Sequence, residues 1–124
     1  MNTNNVENLM KQLAILQTNR QVPFVDRIIN PQMYPNPTIF DSQNRMQTHF
    51  MSASPDEKGN WFVYPNIVFE NGEYKKLNLT EDDAVKYAKQ TGNFISFGKD
   101  KDAAIKFSED YKTKKFKEYY QGLL

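Results

Sequence analysis

The chain has 124 residues, 39% of them hydrophobic and 25% charged, which fits one folded domain with an arm and excludes a wholly disordered chain. No apolar run approaches the ~20 residues of a membrane span, and nothing at the start reads as a signal peptide. With no cysteine, one histidine and a net charge of +1, the sequence excludes disulfides, thiolate metal sites and bulk attraction to nucleic acid.

Residues 1–60 carry ten charges and five of the six prolines, whereas residues 61–124 carry twenty-one charges and one proline. This contrast predicts an N-terminal helix and extended arm over 1–58 and a compact β-hairpin/two-helix domain over 59–124. The fold class is α+β: a small antiparallel β-meander/hairpin packed by two C-terminal helices, preceded by an N-terminal helix and a proline-containing arm. The 13 Asn and 8 Gln are scattered among charges, which favours a coding bias over an adhesive prion-like tract.

Val6, Leu9, Met10, Leu13 and Leu16 recur at helical spacing. Asn4 or Asn5 is placed to cap this helix, which should end before Pro23. One amphipathic helix cannot bury its stripe alone, so it needs either its own domain or a partner's groove. Pro23, Pro31, Pro35 and Pro37 predict an extended path over 23–44, partly polyproline II, along the chain's own domain or another subunit. Its apolar residues are too many for a free linker. Leu9, Leu13 and Leu16 of the helix, with Phe24, Ile28, Met33, Tyr34, Ile39 and Phe40 of the arm, are therefore the expected partner-binding residues.

Residues 45–54 alternate as a strand, and Pro55–Asn60 has turn composition. Trp61–Phe69 reads as one strand, apolar on both faces. The two C-terminal helices are expected to cover one face and the N-terminal half, or a partner, the other. Pro65 lacks a donor and implies an edge or a bulge. Asn71-Gly72 predicts a two-residue type I′ turn that pairs Phe69 with Tyr74 and Ile67 with Lys76. Thr80 should cap a helix with Glu81, Asp82 and Asp83 in its first turn and Gly92 at its end. Residues 94–98 read as an apolar link, and Asp100 or Asp102 as the cap of a last helix bearing Ala103, Ala104, Phe107 and Tyr111.

Candidate chemistry is sparse. His49 has no nucleophile motif around it, and the three acids at 81–83 splay around a helical turn as capping residues do. Asp100-Lys101-Asp102 lacks the glycine and distal glutamate of a calcium loop. No P-loop, GxGxxG or nucleophile elbow occurs. These absences predict no enzyme activity, no metal and no cofactor. Lys112, Lys114, Lys115 and Lys117 with Phe116, Tyr119 and Tyr120 offer a weak nucleic-acid patch, offset by Glu109, Asp110 and Glu118.

An ordered set of motifs runs from Gly59-x-Trp61-Phe62-Val63-Tyr64-Pro65-Asn66-Ile67 through Asn71-Gly72, Leu77, Glu81-Asp82-Asp83-Ala84-Val85-x-Tyr87-Ala88 and Thr91-Gly92-Asn93 to Phe97, Ala103-Ala104 and Tyr111. Residues 59–111 thereby resemble a small domain of tailed-bacteriophage structural and internal virion proteins, often found at the C-terminus of larger chains. The resemblance implies a virion protein contacting other virion proteins in multiple copies, and it carries no catalytic residue. The other readings are a small accessory factor binding a host protein and a peptidoglycan-associated lytic accessory.

Overall fold

In the computed structural model, which describes residues 3–30, 33–35, 39–40, 46–47 and 51–110, two helices come first, α1 (Thr3–Thr18) and α2 (Pro23–Ile29). Strands β1 (Ile39–Phe40), β2 (Met46–Gln47), β3 (Met51–Pro55), β4 (Trp61–Pro65), β5 (Ile67–Glu70) and β6 (Glu73–Lys76) follow. Helix α3 (Glu81–Thr91), strand β7 (Ile95–Gly98) and helix α4 (Lys101–Asp110) complete the described chain. The α+β class read from the sequence is the observed one.

The core is built on both faces of β4. This strand is the middle of an antiparallel sheet of order β3-β4-β7. Successive side chains of a strand point to opposite faces. Phe62 and Tyr64 meet Ala84, Val85 and Ala88 of α3, with Phe94 packed beside them. Trp61 and Val63 point the other way, into a larger cluster of Leu13, Leu16, Phe24, Val25, Ile28, Ile29, Met51, Ile95, Ala104 and Phe107. The two C-terminal helices thus cover opposite faces rather than sharing one, and α1 and α2 complete the face that α4 covers. The core therefore crosses the expected 58/59 boundary, since six of its buried side chains lie before residue 31.

The arm expected over 23–44 begins as a helix. Pro23 is the first residue of α2, where its missing N–H is one of the orphans of a helix start and its fixed φ suits the first turn. Phe24, Val25, Ile28 and Ile29 then recur at helical spacing and are all buried. The helix stops at Ile29, two residues before Pro31, which disfavours helical backbone in its predecessor. Helix α1 starts at Thr3, so Asn4 and Asn5 lie within it rather than capping it.

The single strand expected over 61–69 divides at Asn66. Pro65 has no N–H to continue the ladder, and Asn66 is pinned on both sides: its Nδ2 donates to Ser52 Oγ at 2.7 Å and its carbonyl accepts from Leu77 N–H at 2.8 Å. Strand β5 leaves the sheet and pairs with β6 as a separate hairpin, with Phe69 opposite Tyr74 and Ile67 opposite Lys76 as the turn chemistry predicts. Asn71 and Gly72 have φ of 52° and 80°, the positive pair that such a turn demands. The stretch read as a link is strand β7, which places Ile95 opposite Val63. Thr80 Oγ1 accepts from Asp83 N–H at 3.2 Å and Gly92 ends α3 in the left-handed conformation, both as predicted. Asp100 Oδ1 accepts from Ala103 N–H at 3.1 Å and caps α4. Ile39–Phe40 pairs with Met46–Gln47, and His49, Tyr111 and the four lysines from 112 to 117 lie outside the described residues.

Candidate functional site

The expected partner-binding residues divide into three groups. Leu13, Leu16, Phe24 and Ile28 are buried in the chain's own core, where they face β4, β7 and α4 rather than solvent. They are thus not available as an open docking surface. Met33 is 74% exposed and Tyr34 is half-buried. Leu9 lies in α1, and Ile39 and Phe40 form β1; their side chains lie outside the described set.

Tyr34 belongs to a seam where α2 and the following residues meet the β5–β6 hairpin and the end of α3. The seam holds a partly open cleft of about 140 Å³ lined by Phe24, Arg27, Tyr34, Phe69, Glu70 and Asn93 among others. Val22, the residue before α2, gives no side-chain cap. Instead Asn93, turned back by the left-handed Gly92, accepts from Phe24 N–H at 2.9 Å and satisfies an orphan donor across 69 residues of sequence. The buried Arg27 guanidinium donates to Ile67 O at 2.7 Å and lies 5.9 Å from the centre of the Tyr74 ring. Tyr34 stacks edge-on against Phe69 with centroids 5.3 Å apart, and its hydroxyl donates to the Asp26 carboxylate, whose other oxygen accepts from Asn30 Nδ2 at 2.9 Å. Burial, then that bond to Asp26, push the Tyr34 phenol up to about 12. Tyr74 closes the seam by donating to Pro35 O at 2.6 Å.

These polar groups serve the fold. Glu70 accepts from the Tyr87 hydroxyl, and this bond with burial raises the Tyr87 phenol. Thr91 Oγ1 donates back to the carbonyls of Tyr87 and Ala88. A cleft of 140 Å³ is also smaller than the roughly 300–1,000 Å³ of small-molecule sites. Among the described residues, no group of three or more His, Asp or Glu side chains is arranged to hold a metal ion. No helix among them is long and apolar enough to cross a membrane.

Two larger, open grooves of about 430 and 450 Å³ flank β3 and share Glu81 as a wall. One is lined by Ser52, Ser54, Tyr64, Asn66 and Leu79, the other by Asp56, Glu57, Asp82, Val85, Lys86 and Lys89. Ser54 and Tyr64 share a hydrogen bond of 2.7 Å, and burial raises the Tyr64 phenol. Asp56 organises the β3–β4 turn. It accepts from Lys89 Nζ at 2.9 Å and from the N–H groups of Lys58 and Asn60 at 2.9 Å each. The bond from Lys89, then those two N–H groups, hold its carboxyl well below the usual carboxylate range.

A pH dependence follows from Asp56. Its folded pKa is depressed, so its contribution is fully present above the ordinary carboxylate value near 4 and is lost as pH falls from there toward the folded value. Denaturant midpoints taken between about pH 5 and pH 2 should therefore fall more steeply for the native chain than for Asp56→Asn. Parallel acid limbs would remove Asp56 from the account.

The sequence reading missed Arg27, Asn93 and Asp56. Arg27 is the one cation within the apolar run from Phe24 to Ile29, a placement that signals a buried partner. Asn93 directly follows a helix-stopping glycine, and Asp56 opens a turn four residues before Asn60, whose N–H it accepts. Compared with family models, with curated proteins and with solved structures, the chain finds no match in any of the three.

Proposed function

We propose that this chain is a non-enzymatic virion protein of a tailed bacteriophage that docks on other virion subunits in multiple copies. Two features support the reading. One is the ordered resemblance over residues 59–111. The other, which carries the docking part, is that α1 and the turn after α2 leave two large thioethers in solvent, Met10 at 58% exposure and Met33 at 74%. Methionine is soft, unbranched and suited to adaptable contact surfaces. Of the residues first expected, Met33 keeps its place in this reading, Met10 of α1 joins it, and the buried Leu13, Leu16, Phe24 and Ile28 leave it. In the seam, Arg27 joins α2 to the hairpin, Asn93 holds the start of α2, and Tyr74 holds Pro35.

Mass spectrometry of purified particles tests the reading. The chain should appear at a fixed copy number relative to the other virion proteins, and Met10→Asp with Met33→Asp should reduce its incorporation. A chain abundant in infected cells but absent from particles would favour the host-factor reading. Turnover of peptidoglycan lost on replacing one acidic residue would favour the lytic accessory.

A further inference from the structure

The chain has no cysteine, so its five methionines hold all of its sulfur. The side chains of Met1 and Met46 lie outside the described set. The fold treats the other three unequally. Met51 is buried at 3% exposure in the cluster that holds Leu13 and Val63, whereas Met10 and Met33 stand largely in solvent.

The backbone that carries each exposed thioether is anchored. Met33 N–H donates to Asn30 O at 3.0 Å, and the next residue, Tyr34, is held by Asp26 and Phe69. In α1, the buried Leu13 and Leu16 fix the turns that follow Met10. Two thioethers are thus presented to water on fixed supports, and the core cluster uses neither of them.

We propose that Met10 and Met33 are oxidation sites, where a peroxide converts both thioethers to sulfoxides in the folded chain and removes apolar surface without loosening the core. The sulfur attacks one peroxide oxygen. An S–O bond forms, the O–O bond breaks, the sulfur gives up two electrons and water leaves. The step needs access to sulfur and no catalytic side chain. A sulfoxide is polar, so it disfavours a dry contact. Met51 is the contrasting case, since its sulfur is reached only when the core opens. The consequence for docking rests on the virion reading, in which these two thioethers make the contact: the oxidised chain should be left out of particles.

Full-length chain treated with dilute hydrogen peroxide and read by peptide mass spectrometry should gain one oxygen at Met10 and at Met33 about tenfold or more faster than at Met51. In denaturant the three rates should converge. Chain oxidised at both sites should keep its far-ultraviolet circular dichroism and urea midpoint, and its retention on a phenyl resin should fall. Met10→Leu with Met33→Leu keeps the apolar surface and removes the sulfur, so peroxide should leave its retention unchanged. Equal oxidation of Met51 in the folded chain, an unfolded product, unchanged retention, or a loss of retention that persists in the leucine variant each overturns the proposal. For docking, oxidised chain and isotope-labelled untreated chain compete in equal amounts for particles assembled without the chain. Exclusion of the oxidised form supports the consequence, and equal uptake overturns it. Uptake of neither form strikes the virion reading instead, and the oxidation rates and retention still decide the sites.

Discussion

Phe24→Ala should lower the unfolding free energy of the whole chain by about 3–5 kcal/mol, the range for truncating a buried phenylalanine. Phe24 is 1% exposed and shares its cluster with Val63 of β4 and Phe107 of α4. Its own N–H is held by Asn93. A domain of this size has a total stability of roughly 5–15 kcal/mol, so such a loss brings it near its limit. Urea titrations followed by far-ultraviolet circular dichroism and by the single tryptophan, Trp61, should shift together. If the Trp61 transition stayed in place while Phe24→Ala changed the helical signal alone, α2 would be a detachable element.

Removal of residues 1–30 should have the larger effect and abolish cooperative unfolding. Six buried side chains, Leu13, Leu16, Phe24, Val25, Ile28 and Ile29, leave with that segment. At ~1.5–3 kcal/mol each, their burial is worth roughly 9–18 kcal/mol before the entropy of ordering the two helices is subtracted. The fragment would expose Met51, Val63, Ile95 and Phe107 on one face of the sheet. It should bind a hydrophobic dye and lose near-ultraviolet dichroism. A sharp unfolding transition in the fragment, with native-like near-ultraviolet signal, would mean that residues 31–124 fold without α1 and α2.

The parts of the fold legible in the sequence are those where one or two residues impose backbone geometry. Asn71-Gly72 set the hairpin register, Thr80 and Gly92 bounded α3, and alternation along Trp61–Tyr64 assigned side chains to two faces. The illegible parts depend on contacts distant in sequence. Pro23 reads as a helix breaker until the apolar residues behind it find β4 and α4 to pack against. Residues 95–98 form a strand because β4 has a free edge, which short-range pattern does not reveal. The seam around Arg27 joins segments 40 to 69 residues apart, so no local spacing announces it.

The placement of α4 and α2 on one face of β4 has a kinetic consequence. Val63 is covered from that side by residues near positions 24 and 107 together. Loop closure over such separations must precede the contacts that reward it, which slows folding relative to chains rich in local contacts. A nascent chain would hold α1 and α2 unsheltered until Phe107 has left the ribosome. During that interval, Phe24, Val25, Ile28 and Ile29 form a sticky stretch that a chaperone can occupy. Strands β3 and β4 wait with it, so the sheet acquires its second covered face only at the end of synthesis of residues 1–110.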